Sequence, residues 1–245
     1  MPRASRPGRK APARPARGDD PTILPGEPPE RGGGKGSRGG KAYQRLRDAI
    51  ATGRLKPGAR VLESELARLL GMSRTPIREA IAALETDGLV AVDGARGRVV
   101  AQLDYQSVME LYAVIEVLES TGAAMAARHA SDMEIGALRE MLGMEERILK
   151  DAGRLADHNR RFHEAIYHCS HNRYMVKLLQ YLQTAKLLLQ PVGRTGDERR
   201  ETALPEHRAI VAAIEAHDPA AAEAAMRRHI RLAQQARIKL LLQEG

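Results

Sequence analysis

The amino-acid sequence predicts a mainly α-helical protein, with an N-terminal winged helix-turn-helix over residues 41–103 and an antiparallel all-helical bundle over residues 104–245. Three observations support this fold class. Two short helical patterns are separated by a glycine, two β-prone runs then flank a glycine-rich turn, and the second half has helical apolar spacing without a clear strand pattern. A length of 245 residues suits one or two domains.

Residues 1–40 precede these elements and differ from them in composition. They are rich in Pro, Gly and Arg, contain almost no large apolar side chains, and hold nine Lys/Arg against four Asp/Glu. Such a segment cannot bury enough apolar surface to offset the entropy lost on ordering, so we expect a disordered basic tail. Two roles are open for it: an arm that holds DNA through its phosphates, or a passive extension.

The first three helices are predicted from apolar spacing, glycine stops and a cap. The first helix ends at Gly53, and the second, over residues 63–70, ends at Gly71. The third begins with Thr75, whose hydroxyl can cap the helix, and Pro76, which suits the first helical position because its missing N–H is not needed there. A helix, a glycine turn and a capped second helix make the helix-turn-helix plan.

The third helix carries two arginines that suit DNA reading. Arg74 and Arg78 are four residues apart, so they project from the same end of the helix. The planar fork of arginine matches the O6/N7 edge of guanine in the major groove. Residues 41–103 also hold eleven Lys/Arg against seven Asp/Glu, a surplus that favours binding to the phosphates of double-stranded DNA.

A β-hairpin is predicted directly after this helix. The runs 89–92 and 98–101 are β-prone and flank a glycine-rich turn. In this position the hairpin is a wing, with Arg96 and Arg98 close to phosphates or to the minor groove.

The segment 62–80, with Leu-Glu-Ser-Glu-Leu-Ala followed by Ser-Arg-Thr-Pro-Ile-Arg-Glu-Ala, resembles the GntR family of bacterial transcription regulators. The helical C-terminal half looks like the effector domain of the FadR-like branch of that family, the FCD domain. The alternative is that the arginines are ordinary solvated helix residues. The resemblance, together with the wing, predicts DNA contacts at Ser73, Arg74, Thr75, Arg78, Arg96, Gly97 and Arg98.

The second half is predicted as helices with short joints. Ser131 and Glu134 stand three residues apart in a capping-box pattern, and Asp218 before Pro219 is a second N-cap. A bundle of this kind has room between its helices for a ligand or metal site. The predicted helices cover residues 106–128, 132–149, 155–169, 174–189, 199–217 and 219–242.

Three histidines and one asparagine of the bundle are candidate metal ligands. Asn159 and His163 are four residues apart and lie on one face of their helix, while His207 and His229 lie on two later helices. Three imidazoles and an amide carbonyl can bind a divalent metal if the helices bring them together. A helical histidine is more often structural or exposed, and this is the expectation for His129, His158, His168, His171 and His217.

The resemblance to metal-binding FCD domains favours the metal site. In those relatives an acidic or amide residue stands four positions before a Phe-His pair, and two further histidines come from later helices. The same pattern here implies a divalent ion of the zinc, nickel or manganese class at Asn159, His163, His207 and His229. Asn replaces the commoner Asp, which removes one formal charge and should weaken metal binding.

Together these features predict a ligand-responsive repressor that binds a pseudopalindromic operator as a homodimer. The resemblance implies a small effector, an organic acid that the metal can bind. Many relatives carry an arginine where this chain has Ile115, so Arg161 and Arg194 are considered as substitutes. The alternatives are a metal-sensing repressor and a three-histidine enzyme fused to a DNA-binding domain, although no His-Glu-x-x-His spacing is present.

Cysteine use and hydropathy bear on the compartment. Cys169 is the single cysteine, which excludes an internal disulfide and suits a reducing cytoplasm. The chain has no uninterrupted apolar run of about 18 residues, so no membrane span is predicted. The basic start has no apolar run behind it, unlike a secretory signal. We therefore expect a cytoplasmic protein.

Overall fold

The computed structural model describes residues 37–189 and 197–244, and this part of the chain is mainly helical, as predicted. Its elements are α1 (Arg38–Ala51), α2 (Glu63–Leu70), α3 (Arg74–Thr86), β1 (Val90–Asp93), β2 (Gly97–Val100), α4 (Tyr105–His129), α5 (Asp132–Ile148), α6 (Ala152–Cys169), α7 (Arg173–Lys186), α8 (Asp197–Glu215) and α9 (Pro219–Glu244). The wing is the single strand pair among the described residues, and it precedes the helical bundle.

The tail predicted for residues 1–40 lies mostly outside the described residues, as does Arg194. α1 begins at Arg38, so residues 38–40 are helical rather than part of a tail. Ser37 caps this helix, because its hydroxyl oxygen accepts a hydrogen bond from the backbone N–H of Gly40 at 3.0 Å.

The first three helices form the predicted helix-turn-helix around one apolar core. Gly71 joins α2 to α3 with a φ of 62°, in the left-handed region that favours glycine. All three helices contribute buried aliphatic side chains, and each fully buried one stabilises the fold by about 1.5–3 kcal/mol. The largest of these are Leu46, Leu66, Ile77, Ile81 and Leu84.

The start of α3 differs from the prediction. Ser73, with an extended backbone, is the N-cap, and Arg74 is the first helical residue, so the assignment of the cap to Thr75 was wrong. Pro76 therefore occupies the third helical position. It is still within the first turn, where backbone N–H groups have no partner inside the helix. The Ser73 side chain makes no capping hydrogen bond, so the extended backbone of Ser73, and not a side-chain cap, marks the start of α3.

The predicted wing is an antiparallel hairpin of β1 and β2. Asp93 lies opposite Gly97 at its closed end. Gly97 has a φ of 77°, which an L side chain rarely adopts, so this position of the turn favours glycine. An isolated β-bridge between Arg60 and Val99 ties the hairpin to the segment before α2.

The bundle is built around α4, which contacts α6, α7, α8 and α9. Gly122 permits close approach of α7, because a Cβ at this position would lie 3.3 Å from Leu179 Cδ1. Both predicted caps are present. Ser131 and Glu134 form the capping box of α5, and Asp218 accepts a hydrogen bond from the Ala221 backbone N–H at 3.0 Å.

A short 3-10 turn, Leu187–Leu189, follows α7 and connects the two halves of the molecule. We call it the leucine turn. Leu188 is buried in the core of the helix-turn-helix domain, whereas Leu189 is buried in the core of the bundle. Leu103, between the wing and α4, packs against both cores. The two domains are therefore joined by shared packing as well as by the chain.

Two predictions from composition can be compared with the structure. Cys169 is buried, and burial raises its pKa to about 11, so its thiol stays protonated at neutral pH. Among the helices in the described part of the chain, none has the length and apolar character needed to cross a bilayer.

Candidate metal centre and nucleic-acid interface

Three histidines from three helices meet inside the bundle. His163 lies on α6, His207 on α8 and His229 on α9, and their exposed fractions are 1%, 0% and 5%. One ring nitrogen of each lies within 4.8 Å of those of the other two. The structure thus brings together the three histidines that the sequence analysis selected.

Each of these histidines contacts a glutamate through Nδ1. The pairs are His163 with Glu119, His207 with Glu145 and His229 with Glu206, each with an Nδ1 to Oε2 distance of 2.8 Å. An ionised carboxylate can only accept hydrogen bonds, so Nδ1 of His163 and of His207 carries the hydrogen. Nδ1 of His229 also lies 3.3 Å from the donor Arg199 Nη2, but its shorter contact with Glu206, at 2.8 Å, favours the same tautomer. Each Nε2 is then left with a lone pair, which is the form of imidazole that binds a metal.

The state of His207 tests whether a metal fits. Its Nε2 atom is buried and has no hydrogen-bond partner among the described residues. An unsatisfied buried nitrogen costs about 1–3 kcal/mol, and coordination to a cation would remove that cost. Three imidazoles, each in contact with a carboxylate, form a donor set typical of zinc-class ions. The residues present therefore fit a divalent metal.

The electrostatics of the centre favour the same protonation states. Burial lowers the pKa of His163 more than Glu119 raises it. Burial, together with the imidazoles of His207 and His163, holds the pKa of His229 well below its usual range. Burial alone would raise the pKa of Glu119, but the Lys186 ammonium and His163 hold it below its usual range. His163 and His229 are therefore neutral, and Glu119 is ionised.

A cavity of about 970 Å³ adjoins the centre. Asn159, His163 and His229 line it, so the predicted fourth ligand is half-buried on the wall that carries two of the histidines. Lys186 and Arg199 also line this cavity, which gives its wall cationic groups. A space of this size accommodates a small organic ligand.

The cationic side chains that line the cavity include Lys186, which the sequence analysis did not consider. Ile115, at the position of the relatives' arginine, is fully buried in the bundle core and carries no charge. Arg161, one of the two candidates for a substitute, is exposed, binds Asp157 at 2.9 Å and is not among the residues that line the cavity. Lys186 does line the cavity, and its Nζ donates a hydrogen bond to Glu119 Oε1 at 2.9 Å.

The residues predicted to read DNA lie at the start of α3. Ser73, Arg74, Thr75 and Arg78 are all exposed there. Arg78 donates hydrogen bonds to Glu63, from Nε to Oε1 at 3.2 Å and from Nη2 to Oε2 at 3.0 Å. The structure therefore places these side chains together on one accessible end of the helix.

Both wing arginines contact carboxylates, Arg96 within the wing and Arg98 on α3. Arg96 Nε donates to Asp93 Oδ2 at 2.7 Å, within the hairpin turn. Arg98 Nε donates to Glu85 Oε1 at 2.8 Å, which ties the wing to α3. Gly97 is exposed between the two arginines. The wing and the start of α3 can therefore face the same partner.

Two protein families match the chain where the fold has these two sites. Residues 39–100 match the bacterial regulatory proteins of the gntR family, and residues 110–232 match the FCD domain. The chain belongs to the GntR family and has an FCD domain. The resemblance noted from the sequence is confirmed, and the matched families are those of transcription regulators rather than enzymes.

Proteins similar to this GntR-family chain are themselves regulators. It is 33% identical over 184 residues to the HTH-type transcriptional regulator YdhC of Bacillus subtilis (strain 168), covering 74% of this chain and 82% of YdhC. It is 31% identical over 209 residues to the Uxu operon transcriptional regulator of Escherichia coli (strain K12), covering 76% and 80%. The structure of E. coli McbR/YncC has the same fold, with a TM-score of 0.72 and 24% identity over 85% of this chain and 99% of that one.

Sequence reasoning missed the carboxylates around the centre of this GntR-family protein. Glu119 lies four residues after Ile115, the position compared with the relatives' arginine, but the sequence analysis did not consider it. Glu145 gave no sequence signal, since it is 62 residues from His207 and on another helix. Glu63 was considered only as part of a helix, although it contacts Arg78.

Proposed function

We propose that this protein is a transcription repressor that binds a pseudopalindromic operator as a homodimer and responds to a small carboxylated metabolite in its FCD domain. One observation carries the proposal. The same chain has an exposed, arginine-bearing helix beside a wing and a buried three-histidine centre that adjoins a cavity. Membership of the family supports a DNA-binding regulator. The geometry supports the operator contacts, the homodimer and the metabolite site.

On the DNA side, Arg74 and Arg78 read guanine edges in the major groove. The wing and the helix start position the domain on the phosphates, which fixes its register without reading sequence. The groups that do so are the side chains of Ser73, Thr75, Arg96 and Arg98 and the backbone of Gly97.

Dimerisation is supported by exposed apolar side chains on α4 and α7, two helices that contact each other. Tyr174, Leu178 and Tyr181 are exposed on one side of α7, and Val114 and Val117 are exposed on the neighbouring α4. Several large apolar side chains on adjoining helices favour burial against another surface. A second copy of the chain is the proposed occupant, because a two-fold dimer presents two reading helices to the two halves of a palindrome.

In the FCD domain, His163, His207 and His229 would hold a divalent metal of the zinc, nickel or manganese class, with the Asn159 carbonyl oxygen as a weaker ligand. When bound, such an ion supplies Lewis-acid positions for the oxygens of an organic acid. None of these four ligands is a carboxylate, and Lys186 and Arg199 line the same cavity, so the site would favour an anionic ligand.

Lys186 connects the effector cavity to the DNA-binding domain. It is the last residue of α7, it lines the cavity and binds Glu119, and the leucine turn follows it directly. An effector carboxylate that draws Lys186 away from Glu119 therefore acts on the segment that places Leu188 in the helix-turn-helix core. Regulation follows if the effector binds the two arrangements with different affinity.

The test is fluorescence anisotropy of the purified protein on DNA from its own upstream region and on a scrambled duplex, at fixed salt. Arg78→Ala should weaken specific binding by about 1–3 kcal/mol, because one bidentate base contact is lost. His163→Ala should preserve specific binding and remove the response to a panel of small organic acids. Equal loss of specific binding in both variants would contradict this division of roles.

A metal-sensing repressor is the second candidate, and the buried Nε2 of His207 favours it. Without metal this nitrogen has no partner among the described residues, so metal binding alone changes the free energy of the centre. In this case a chelator changes operator affinity with no organic acid present. Specific binding that is indifferent to the chelator would leave the metal as a binding position for the organic effector.

A further inference from the structure

We infer that Glu63 is a positioning residue for DNA reading, which holds Arg78 in the orientation that recognises a base. The inference rests on the proposed function and deepens it. Glu63 is the first residue of α2, while Arg78 lies in the next helix, so their contact spans the helix-turn-helix.

The contact uses one edge of the guanidinium. Arg78 Nε lies 3.2 Å from both carboxylate oxygens of Glu63, and Nη2 lies 3.0 Å from Oε2. The Nε–Nη2 edge is therefore occupied, and the end formed by Nη1 and the second Nη2 hydrogen is directed away from the carboxylate. That end has the two-donor geometry that matches guanine O6 and N7. The Arg78 side chain is 66% exposed, so a base can reach it.

Glu63 also faces the wing. Its Oε1 lies 3.7 Å from Arg98 Nη1, while Arg98 Nε is held by Glu85. One carboxylate thus contacts cations from the reading helix and from the hairpin. Glu63 orients Arg78 by hydrogen bonds and attracts Arg98 only at longer range.

The Glu63 carboxylate has two opposite effects on DNA binding. It repels phosphates and neutralises part of the charge of Arg78, so for DNA of any sequence it weakens binding. Its benefit is to restrict the rotamers of a long side chain before the base is met. The two effects have different signatures. Loss of repulsion strengthens binding to every sequence, whereas loss of positioning weakens binding to the operator alone.

The experiment compares Glu63→Gln with Glu65→Gln, both in the full chain. Each removes one negative charge from the first turn of α2, but Glu65 has no hydrogen bond to Arg78. The probes are the tightest duplex obtained by selection from a random DNA pool with the wild-type protein, and a scrambled version of it. Glu63→Gln should reduce the preference for the selected duplex by about tenfold, while affinity for the scrambled duplex stays constant or rises. Glu65→Gln should keep the wild-type preference.

A double-mutant cycle separates positioning from a structural role. In an Arg78→Ala background, Glu63→Gln should have no further effect on the preference, because the side chain that it positions is gone. Equal tightening on both duplexes would overturn the inference and leave Glu63 as a charge only. Equal weakening on both, with a lower melting temperature, would overturn it in favour of a structural role. A wild-type protein with no preference would refute the proposed function, and the inference with it.

Discussion

Replacing Glu145 by Gln should weaken divalent-metal binding by about 10- to 100-fold, the range expected when a partner that orients a ligating histidine is lost. Glu145 lies with its two carboxylate oxygens 2.9 and 2.8 Å from His207 Nδ1, and both residues are buried. A hydrogen bond to a charged group contributes about 1.5–3 kcal/mol, roughly twice the contribution of a neutral one. The neutral amide should therefore lose about 1–1.5 kcal/mol of orientation, which is close to the tenfold end of the range. A larger loss follows because the amide also stabilises the tautomer that turns a hydrogen toward the metal.

The assay is isothermal titration of zinc or nickel into chelator-treated protein. Glu146→Gln is the control, because Glu146 is adjacent in sequence but 60% exposed and paired with Arg208. This variant should bind metal as the wild type does. Wild-type affinity in Glu145→Gln, or an equal loss in both variants, would refute the view that the carboxylate orients His207 for a metal.

Three further predictions concern stability and assembly. Burial lowers the pKa of His163 and His229, so the unfolded chain binds more protons as the pH falls through about 6.5. Thermal melts of the metal-free protein should therefore show stability falling from about pH 7.5 to about pH 5.5, and a flat profile would count against neutral histidines. Leu178→Asp should convert dimers to monomers in analytical ultracentrifugation, whereas Gln180→Asp on the same helix should not. Leu188→Ala should lower the unfolding free energy of the helix-turn-helix domain by about 2–5 kcal/mol in denaturant titrations, and an unchanged value would remove this residue from that core.

The helix-turn-helix could be predicted in detail because its signals are local. Gly71 and Gly97 occupy positive-φ positions that glycine favours, and each stands directly at the turn that it makes. The local differences concerned the start of α1, which includes residues 38–40, and the cap of α3. Ser73 and Thr75 both suit an N-cap, and only the backbone conformation of Ser73 distinguishes them.

The metal centre was only partly predictable. Spacing placed Asn159 and His163 on one face of α6, but the convergence of three helices depends on packing across the bundle, and the resemblance had to supply it. The residues that contact the histidines come from distant positions in the chain, so helical spacing does not reveal them. Glu119 is 44 residues from His163, and Lys186 is 67 residues from Glu119. Sequence patterns report the period of a single element and do not report which elements become neighbours.

The leucine turn bears on how such regulators can be recombined. A DNA-binding fragment that stops between the wing and α4 retains its three helices but lacks Leu188, which is buried in the core of this domain although it follows α7 in the sequence. Its apolar surface at that point is left open to water, or to another fragment. When the effector domain of one relative is joined to the DNA-binding domain of another, its leucine turn must therefore fit the first three helices of that DNA-binding domain. The unit to be transplanted with the reading helix is discontinuous in sequence, and a chimera that respects only the linear boundary should be less stable than either parent.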